Sequence, residues 1–526
     1  MRTFAGISFV LILAGAAIGL FVQAQPRFEA ADVQRSSPGM NPYTYISGGV
    51  LRGARYDLRK ATMLDLIRIA YGIDADKVVV GPNWLEFDRF DVAAKAPEST
   101  PPETLKLMLQ ALLADRFKLV LHKDTRPLPG FALTVGNGKP KMTEASGLGD
   151  AGCQHQQGAS RSYSCRNMTM DAFAQRLREM AGDYLTVPVV NSTGSEGSWD
   201  FDLKWDARSQ VLDAGVGRTT IFEAVEKQLG LSLNLREIPA PVLVIDRVSE
   251  KPTENLPDIA KMLPPRELEF EVADLKPSRS DENGCCFQVG GGLEAQAMDM
   301  RVLLAAAWDV DWDHLERFAG LPKWVDSARF DIHAKASTNT NGPPILGSGF
   351  IDDDVRLMLR ALLIERFQMK VHSEDRLVNA YTLAAGKPKM KKGDPVKRAS
   401  CKQAGTVAND PRDLNPRLSE LLTCQNVTMA QFSTQLQALS PDDFAYPVED
   451  ATGLAGGWDF TLSFSPPWML RAGGLDADAA PGAPEPHGAI SLAEAISKQL
   501  GLKLNMRKRM LLVIVIDHME EKPTDN

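Results

Sequence analysis

The sequence predicts an α+β protein built by tandem duplication, each copy made of two small strand-helix-hairpin modules. Three observations carry that expectation. An ordered series of motifs recurs along almost the whole chain. Apolar residues fall by turns at helical spacing and in short runs at strand spacing. The chain has 526 residues, 44% hydrophobic and 24% charged, and at the usual ~150 residues per domain it suits several small cores better than one. Lys+Arg 59 against Asp+Glu 67 leaves a net charge of −8, so no basic excess is available to neutralise phosphates, and nucleic-acid binding is not expected.

Met1-Arg2 and the uncharged apolar run Phe4 to Val22, closed by the small-x-small stretch Val22-Gln23-Ala24, read as a secretory signal peptide over residues 1–24. An uncleaved anchor is the rival reading, because the run approaches the ~20 residues that span a bilayer. No later run is apolar and long enough, so no integral membrane segment is expected after cleavage, and the mature chain is expected to be periplasmic or secreted.

The repeat sets the module boundaries at residues 25–142 and 143–255 for the first copy, and 256–390 and 391–526 for the second. Phe28-Glu-Ala-Ala-Asp32 recurs as Phe270-Glu-Val-Ala-Asp274, and Arg89-Phe-Asp-Val-Ala-Ala-Lys95 as Arg329-Phe-Asp-Ile-His-Ala-Lys335. Leu112-Leu-Ala-Asp-Arg-Phe117 matches Leu362-Leu-Ile-Glu-Arg-Phe367, Gly138-Lys-Pro-Lys-Met142 matches Gly386-Lys-Pro-Lys-Met390, and Lys227-Gln-Leu-Gly-Leu231 matches Lys498-Gln-Leu-Gly-Leu502. The second copy carries insertions around Lys391 to Glu420 and in the Pro/Gly/Ala-rich Ser465 to Gly488.

Leu105, Met108, Leu109 and Leu112 share one helix face, as do Phe173, Leu177 and Met180, with counterparts Val355, Met358, Leu359, Leu362 and Phe432, Leu436, Leu439. Thr62, Asp299 and Thr428 with Gln431 mark helix starts. Lys118 to His122 and Phe131 to Val135 read as a hairpin joined by a Pro-containing loop, and Leu231 to Leu235 and Val242 to Ile245 as a second.

Six cysteines in an exported chain point to disulfides, and no C-x2-C pair or H-x3-H spacing supports zinc. The duplication suggests one bridge in each copy, Cys153–Cys165 and Cys401–Cys424, stapling a loop to a helix start. Cys285 and Cys286 have no counterpart in the first copy.

Phe28-Glu-x-Ala-x-Val33, Gly81-Pro-x-Trp84, Phe90-Asp91-x-x-Ala-Lys95, Leu112-Leu-x-Asp-Arg-Phe117, Pro188-Val-Val with Thr193-Gly194 and Trp199-Asp-Phe201, and Val244-Ile-Asp246 together resemble the soil-associated family of exported bacterial proteins of unknown function. The resemblance covers nearly the whole mature chain twice. Some of that family carry the domain behind a BlaR-type zinc membrane peptidase, which implies a sensing ectodomain; this chain has no H-E-x-x-H, so peptidase activity is not carried over. The helix, the Val-Val then Thr-Gly stretch and the final apolar strand are also similar to the short amino-terminal domain of secretins and TonB-dependent receptors, which implies protein binding.

Candidate site residues come in pairs. His122 and His372 are the histidines at equivalent places in both copies, on the outward face of a strand, where a solvated histidine is the ordinary explanation. Arg116 and Arg366, between helix and strand, suit an anion or, more ordinarily, a nearby carboxylate. Trp84 and Trp324 could stack on a sugar or peptide, against the plainer role of core anchors. Asp200 and Asp202 lie on the polar face of a half-buried strand, and Asp246 and Asp517 end the final strands in turn or cap positions. No nucleophile motif, P-loop or metal spacing is found, so no cofactor is expected. A non-catalytic, sensor-type binding protein of the cell envelope, with an envelope protein, peptide or glycan as partner, is the leading expectation; duplication favours it through avidity. The alternative is an extracytoplasmic hydrolase or carbohydrate-active enzyme using acidic residues such as Asp91 and Asp331.

Overall fold

The computed structural model describes residues 25–37, 46–136, 138, 140–147, 149–158, 160–208, 219–266, 268–279, 288–289, 292–310, 317–336, 353–403, 418, 420–439, 444, 446–466, 470 and 489–525. The signal segment, Cys285 and Cys286, and most of Ser465 to Gly488 lie outside them. The fold is mixed α+β with several small sheets, in two copies of one plan.

In the first copy the elements are β1 (Ala30–Arg35), β2 (Ser47–Arg52), β3 (Arg55–Thr62), α1 (Met63–Tyr71), β4 (Val78–Val79), β5 (Arg89–Lys95), α2 (Pro102–Phe117) and β6 (Val120–Val135). There follow β7 (Thr143–Glu144), β8 (Gly152–Gln156), β9 (Arg161–Met168), α3 (Met170–Met180), β10 (Val189–Asn191), β11 (Trp199–Trp205), α4 (Ile221–Ala224, continued by a π turn over Val225–Leu229) and β12 (Leu231–Arg247). The second set repeats the first. Sheet orders β1-β5-β3-β2 and β7-β11-β9-β8 are the same, with a helix leaving the third strand of each.

The second copy repeats this with α5 (Ile259–Met262) in the connection, then β13 (Phe270–Pro277), β14 (Gln288–Val289), β15 (Gly292–Asp299), α6 (Met300–Trp308), β16 (Phe318–Ala319), β17 (Arg329–Ala336), α7 (Asp353–Arg366) and β18 (Lys370–Ala385). It closes with β19 (Lys391–Lys392), β20 (Ser400–Gln403), β21 (Glu420–Val427), α8 (Met429–Leu439), β22 (Val448–Ala451), β23 (Trp458–Phe464), α9 (Leu492–Ala495, with a π turn over Ile496–Leu500) and β24 (Leu502–His518).

Two local devices occur in all four modules. Two residues before each first helix start the strand bulges into positive φ, at Lys60, Asn167, Ala297 and Asn426, and the bulged amide donates to an aspartate on the adjacent strand. Before each long final strand a single left-handed residue ends the helix: Lys118, Gly230, Gln368 and Gly501. The helix starts at Thr62 and Thr428 form reciprocal capping boxes with Asp65 and Gln431. Asp299 stands at the expected N-cap but turns its carboxylate to Arg329, 2.9 Å away.

The expected hairpins are not formed. Residues 120–135 are one continuous strand of 16 residues, residues 231–247 one of 17, and the two pair antiparallel with each other from Val135–Leu231 to Val120–Arg247. Leu119 starts in the first core and Phe131 and Leu133 end in the second, while Leu231 starts in the second and Leu243 and Ile245 end in the first. The modules thus exchange their last strands, and no single cut near residue 142 separates the two cores. β18 and β24 do the same in the second copy, linking the cores of Met369, Ile514 and Ile516 and of Leu383 and Leu502.

Pro127, Pro129, Pro239 and Pro241 give these segments their loop-like appearance in the sequence. Phe131 donates its amide outward to the Pro188 carbonyl, and amide direction alternates along an antiparallel strand. All four prolines share that outward parity, so none removes a hydrogen bond from the ladder.

Cys153 and Cys165 are bonded, as are Cys401 and Cys424. Each pair sits directly opposite across neighbouring strands, with Cα atoms 4.0 and 4.1 Å apart, so the bridges staple strand to strand and not a loop to a helix start. Each closes a short loop and contributes on the order of 3 kcal/mol.

The copies are packed together through charges. Lys60 reaches Asp309 at 2.5 Å, Arg52 pairs with Asp354, Arg398 with Glu86, and Gln431 donates to the Asn83 carbonyl at 2.9 Å. Phe87 of the first copy packs against the last core of the second.

Candidate functional site

Exposed polar groups on the two long ribbons form an arrangement that the copies share at the surface. His122 Nδ1 lies 2.9 Å from Asp246 Oδ1, and His372 Nδ1 lies 2.7 Å from Asp517 Oδ2. These partners are far apart in sequence and meet only because β6 pairs with β12 and β18 with β24. Two residues beyond each histidine stands an acid, Asp124 or Glu374, paired in turn with Arg126 or Arg376.

Electrostatics follow the pairing. The hydrogen bond that His372 donates to Asp517 holds the histidine above its ordinary 6.5, and Arg376 holds the Glu374 carboxyl below its ordinary range. Asp124 is lowered in the same way by Arg126. No hydroxyl or thiol bonds to either histidine among the described residues, so the pairs present ordered charge to solvent without an adjacent nucleophile. Replacing Asp517 by Asn is expected to bring the His372 titration down toward the ordinary value, as read by NMR. An unmoved midpoint would show that Asp517 does not set it. Because the folded value is raised, the stabilisation from this pair is present below the ordinary histidine range and disappears as pH rises through the folded value.

Asp91 and Asp331, the first candidates for acid-base chemistry, hold backbone. Asp91 Oδ1 accepts from the Lys60 amide at 2.9 Å and from Ser36 Oγ at 2.6 Å; Asp331 Oδ1 accepts from the Ala297 amide at 2.8 Å. Asp200 and Asp459 do the same for Asn167 and Asn426, both at 2.7 Å. Asp202 lies outward as expected, bonded to Ser164 and Arg166. A cavity of about 130 Å³ does open beside Asp91, lined by Asp32, Arg55 and Arg59 and covered by Ala260 and Leu263 of the connection between copies. Arg55 is occupied, bonding Asp57 at 2.6 Å and the Pro264 carbonyl at 2.6 Å, whereas Arg59 lies 3.6 Å from Asp57 and 3.7 Å from Asp91, its Nε buried without a hydrogen-bond partner among the described residues and burial pulling its pKa down. Asp331→Ala is expected to cost about 1.5–3 kcal/mol, because a carboxylate's bond to a part-buried amide is lost. Urea melts check it, and a loss below about 0.5 kcal/mol contradicts the anchoring role.

Arg116 clamps the end of its copy. It donates to the Thr253 carbonyl at 2.5 Å, to Asn255 Oδ1 at 2.6 Å and to the Ala31 carbonyl at 3.1 Å, while Thr253 donates back to the Arg116 carbonyl. The equivalent Arg366 donates to the Asp525 and Ala273 carbonyls, and Thr524 donates to Arg366. The linker, charged and Pro-containing, is therefore a pinned strap, and the arginines bind carbonyls rather than the expected carboxylate. Trp84 and Trp324 are half-buried core anchors, Trp84 edge-on to Phe90 and Trp324 stacked on Phe367.

The His–Asp pairing is not evident in the sequence, although the coincidence of a repeated histidine and a repeated strand-end aspartate is visible there. Among the described residues no three His, Cys, Asp or Glu side chains converge as a metal site, and no helix is long and apolar enough to cross a membrane.

No curated protein and no solved structure matches the chain. A family model described as a protein of unknown function, DUF3738, matches it twice, over residues 64–248 and 301–519, the two copies in which the strand exchange is seen. These matches span more than half of the sequence, and the chain belongs to the DUF3738 family, carrying its domain in tandem.

Proposed function

We propose that this protein is an exported, non-catalytic binding protein of the cell envelope, its signal peptide removed after Ala24 and its mature chain periplasmic or secreted. The resemblance to soil-associated exported proteins and to the protein-binding domain of secretins and TonB-dependent receptors agrees with that reading, as do two disulfides. The observation that carries it is the use of the candidate catalytic carboxylates: Asp91 and Asp331 each hold a bulged amide, while the repeated groups left at the surface are paired charges on two rigid ribbons. Such ribbons offer recognition without chemistry, twice on one chain.

Immobilised mature protein tests the proposal. Exposed to a solubilised envelope fraction, it is expected to retain one defined partner at a fixed ratio, and to turn over neither glycans nor peptides. Turnover lost in Asp91→Ala but kept in a variant equally destabilised elsewhere favours the hydrolase instead.

A further inference from the structure

We propose that the open edge of β24 between Met506 and Leu512 docks an extended, acidic peptide segment of a partner protein, which adds to the ribbon as another strand. This rests on the binding reading above and names the site and the partner's chemistry.

The edge is identified by hydrogen bonds at its two ends. The Leu512 carbonyl points out of the ribbon to Arg317 Nη1 at 3.0 Å, and the Tyr381 amide, opposite Met506, points out to the Pro447 carbonyl at 2.9 Å. Alternation then directs the amides and carbonyls of Met506, Lys508 and Met510 outward as well. Beyond this segment β16 covers only Ile514 and Val515, so no strand lies beside Met506–Leu512 among the described residues. Unpaired strand edges of this kind accept a further strand.

The first copy is closed at the same place. Counting from the equivalent Gly230 and Gly501, Pro239 and Pro241 correspond to Met510 and Leu512. Prolines cannot donate to an added strand. The second copy has donors there, and on the same face it exposes Leu377 (63%), Met510 (57%), Met506 (53%) and Leu512 (44%).

Charge selects the occupant. Lys503, Arg507 and Lys508 have no carboxylate partner among the described residues, and Arg509 pairs with Glu449 at 2.7 Å. The equivalent stretch of the first copy holds Arg236 and Glu237, which balance. A second copy of this chain pairing antiparallel through this edge brings these cations together, so an acidic segment fits and self-pairing does not.

The probe is a labelled heptapeptide alternating glutamate and valine, followed by fluorescence anisotropy with the mature full chain. The wild type is expected to bind it, more tightly as salt falls. Met510→Pro with Leu512→Pro, substitutions the first copy already accommodates, is expected to keep the thermal midpoint and to bind at least about tenfold more weakly, as for two lost backbone hydrogen bonds. Arg507→Glu with Lys508→Glu is expected to exchange preference toward a lysine-valine peptide. No binding by the wild type, equal binding by the folded double-proline protein, or a concentration-dependent dimer abolished by the prolines overturns the proposal. An envelope partner that the double-proline protein still retains overturns this site while leaving the binding function standing.

Discussion

Phe367→Ala is expected to destabilise the second copy by about 3–5 kcal/mol. Phe367 has no exposed surface and joins helix α7 to the ribbon, its ring centroid 5.0 Å from Phe330 in an edge arrangement and 6.2 Å from Trp324 in a stack. Its carbonyl also accepts from the Glu520 amide, so the terminal strap is tied at the same residue. Truncation leaves a cavity between sheet, helix and ribbon and removes the aromatic contacts. Trp324 fluorescence reports the loss directly in a denaturant titration. A cost below about 1 kcal/mol contradicts a core built around this ring.

Arg398→Ala is expected to cost a similar 3–5 kcal/mol, felt where the two copies meet. The Arg398 side chain is nearly buried and pairs with Glu86, also largely out of water. Burial pushes the Glu86 carboxyl above its ordinary 4.5 although Arg398 pulls it down, so desolvation already outweighs the attraction. Without the guanidinium, Glu86 is a buried charge with only the more distant Lys402 to favour it. The sign of the pH effect follows: a carboxyl with a raised folded pKa destabilises the charged state, and the penalty shrinks as pH falls and Glu86 takes up a proton. The variant is therefore expected to regain stability relative to wild type on acidification toward the carboxyl range. A pH-independent difference in urea midpoint contradicts an uncompensated Glu86.

The duplication is legible in the sequence because matched motifs in fixed order survive insertions, and the helix faces because Leu105, Met108, Leu109 and Leu112 must all meet one core. The disulfides follow from comparing copies. The ribbon does not follow, since prolines ordinarily signal loops; their outward parity becomes apparent only once Pro127 is known to face Pro239. The aspartates of the Phe-Asp strands stand out in the sequence, but their role does not. It depends on positive-φ bulges at Lys60 and Ala297, residues with no special preference for that backbone, where register and not residue type fixes the conformation. Likewise His122 and Asp246 become partners only through the strand exchange.

That exchange is the central claim, and an engineered cross-link tests it. Leu377 and Met510 face each other at the middle of the ribbon, with outward backbone groups that mark a close, non-hydrogen-bonded pair within disulfide reach. Leu377→Cys with Met510→Cys, oxidised in the folded protein and mapped by peptide mass spectrometry, is expected to give a dominant disulfide joining the two substituted positions. If the two segments instead folded as separate local hairpins, that link would be absent, and an engineered pair within one segment, Ser373→Cys with Ala380→Cys, would form in its place.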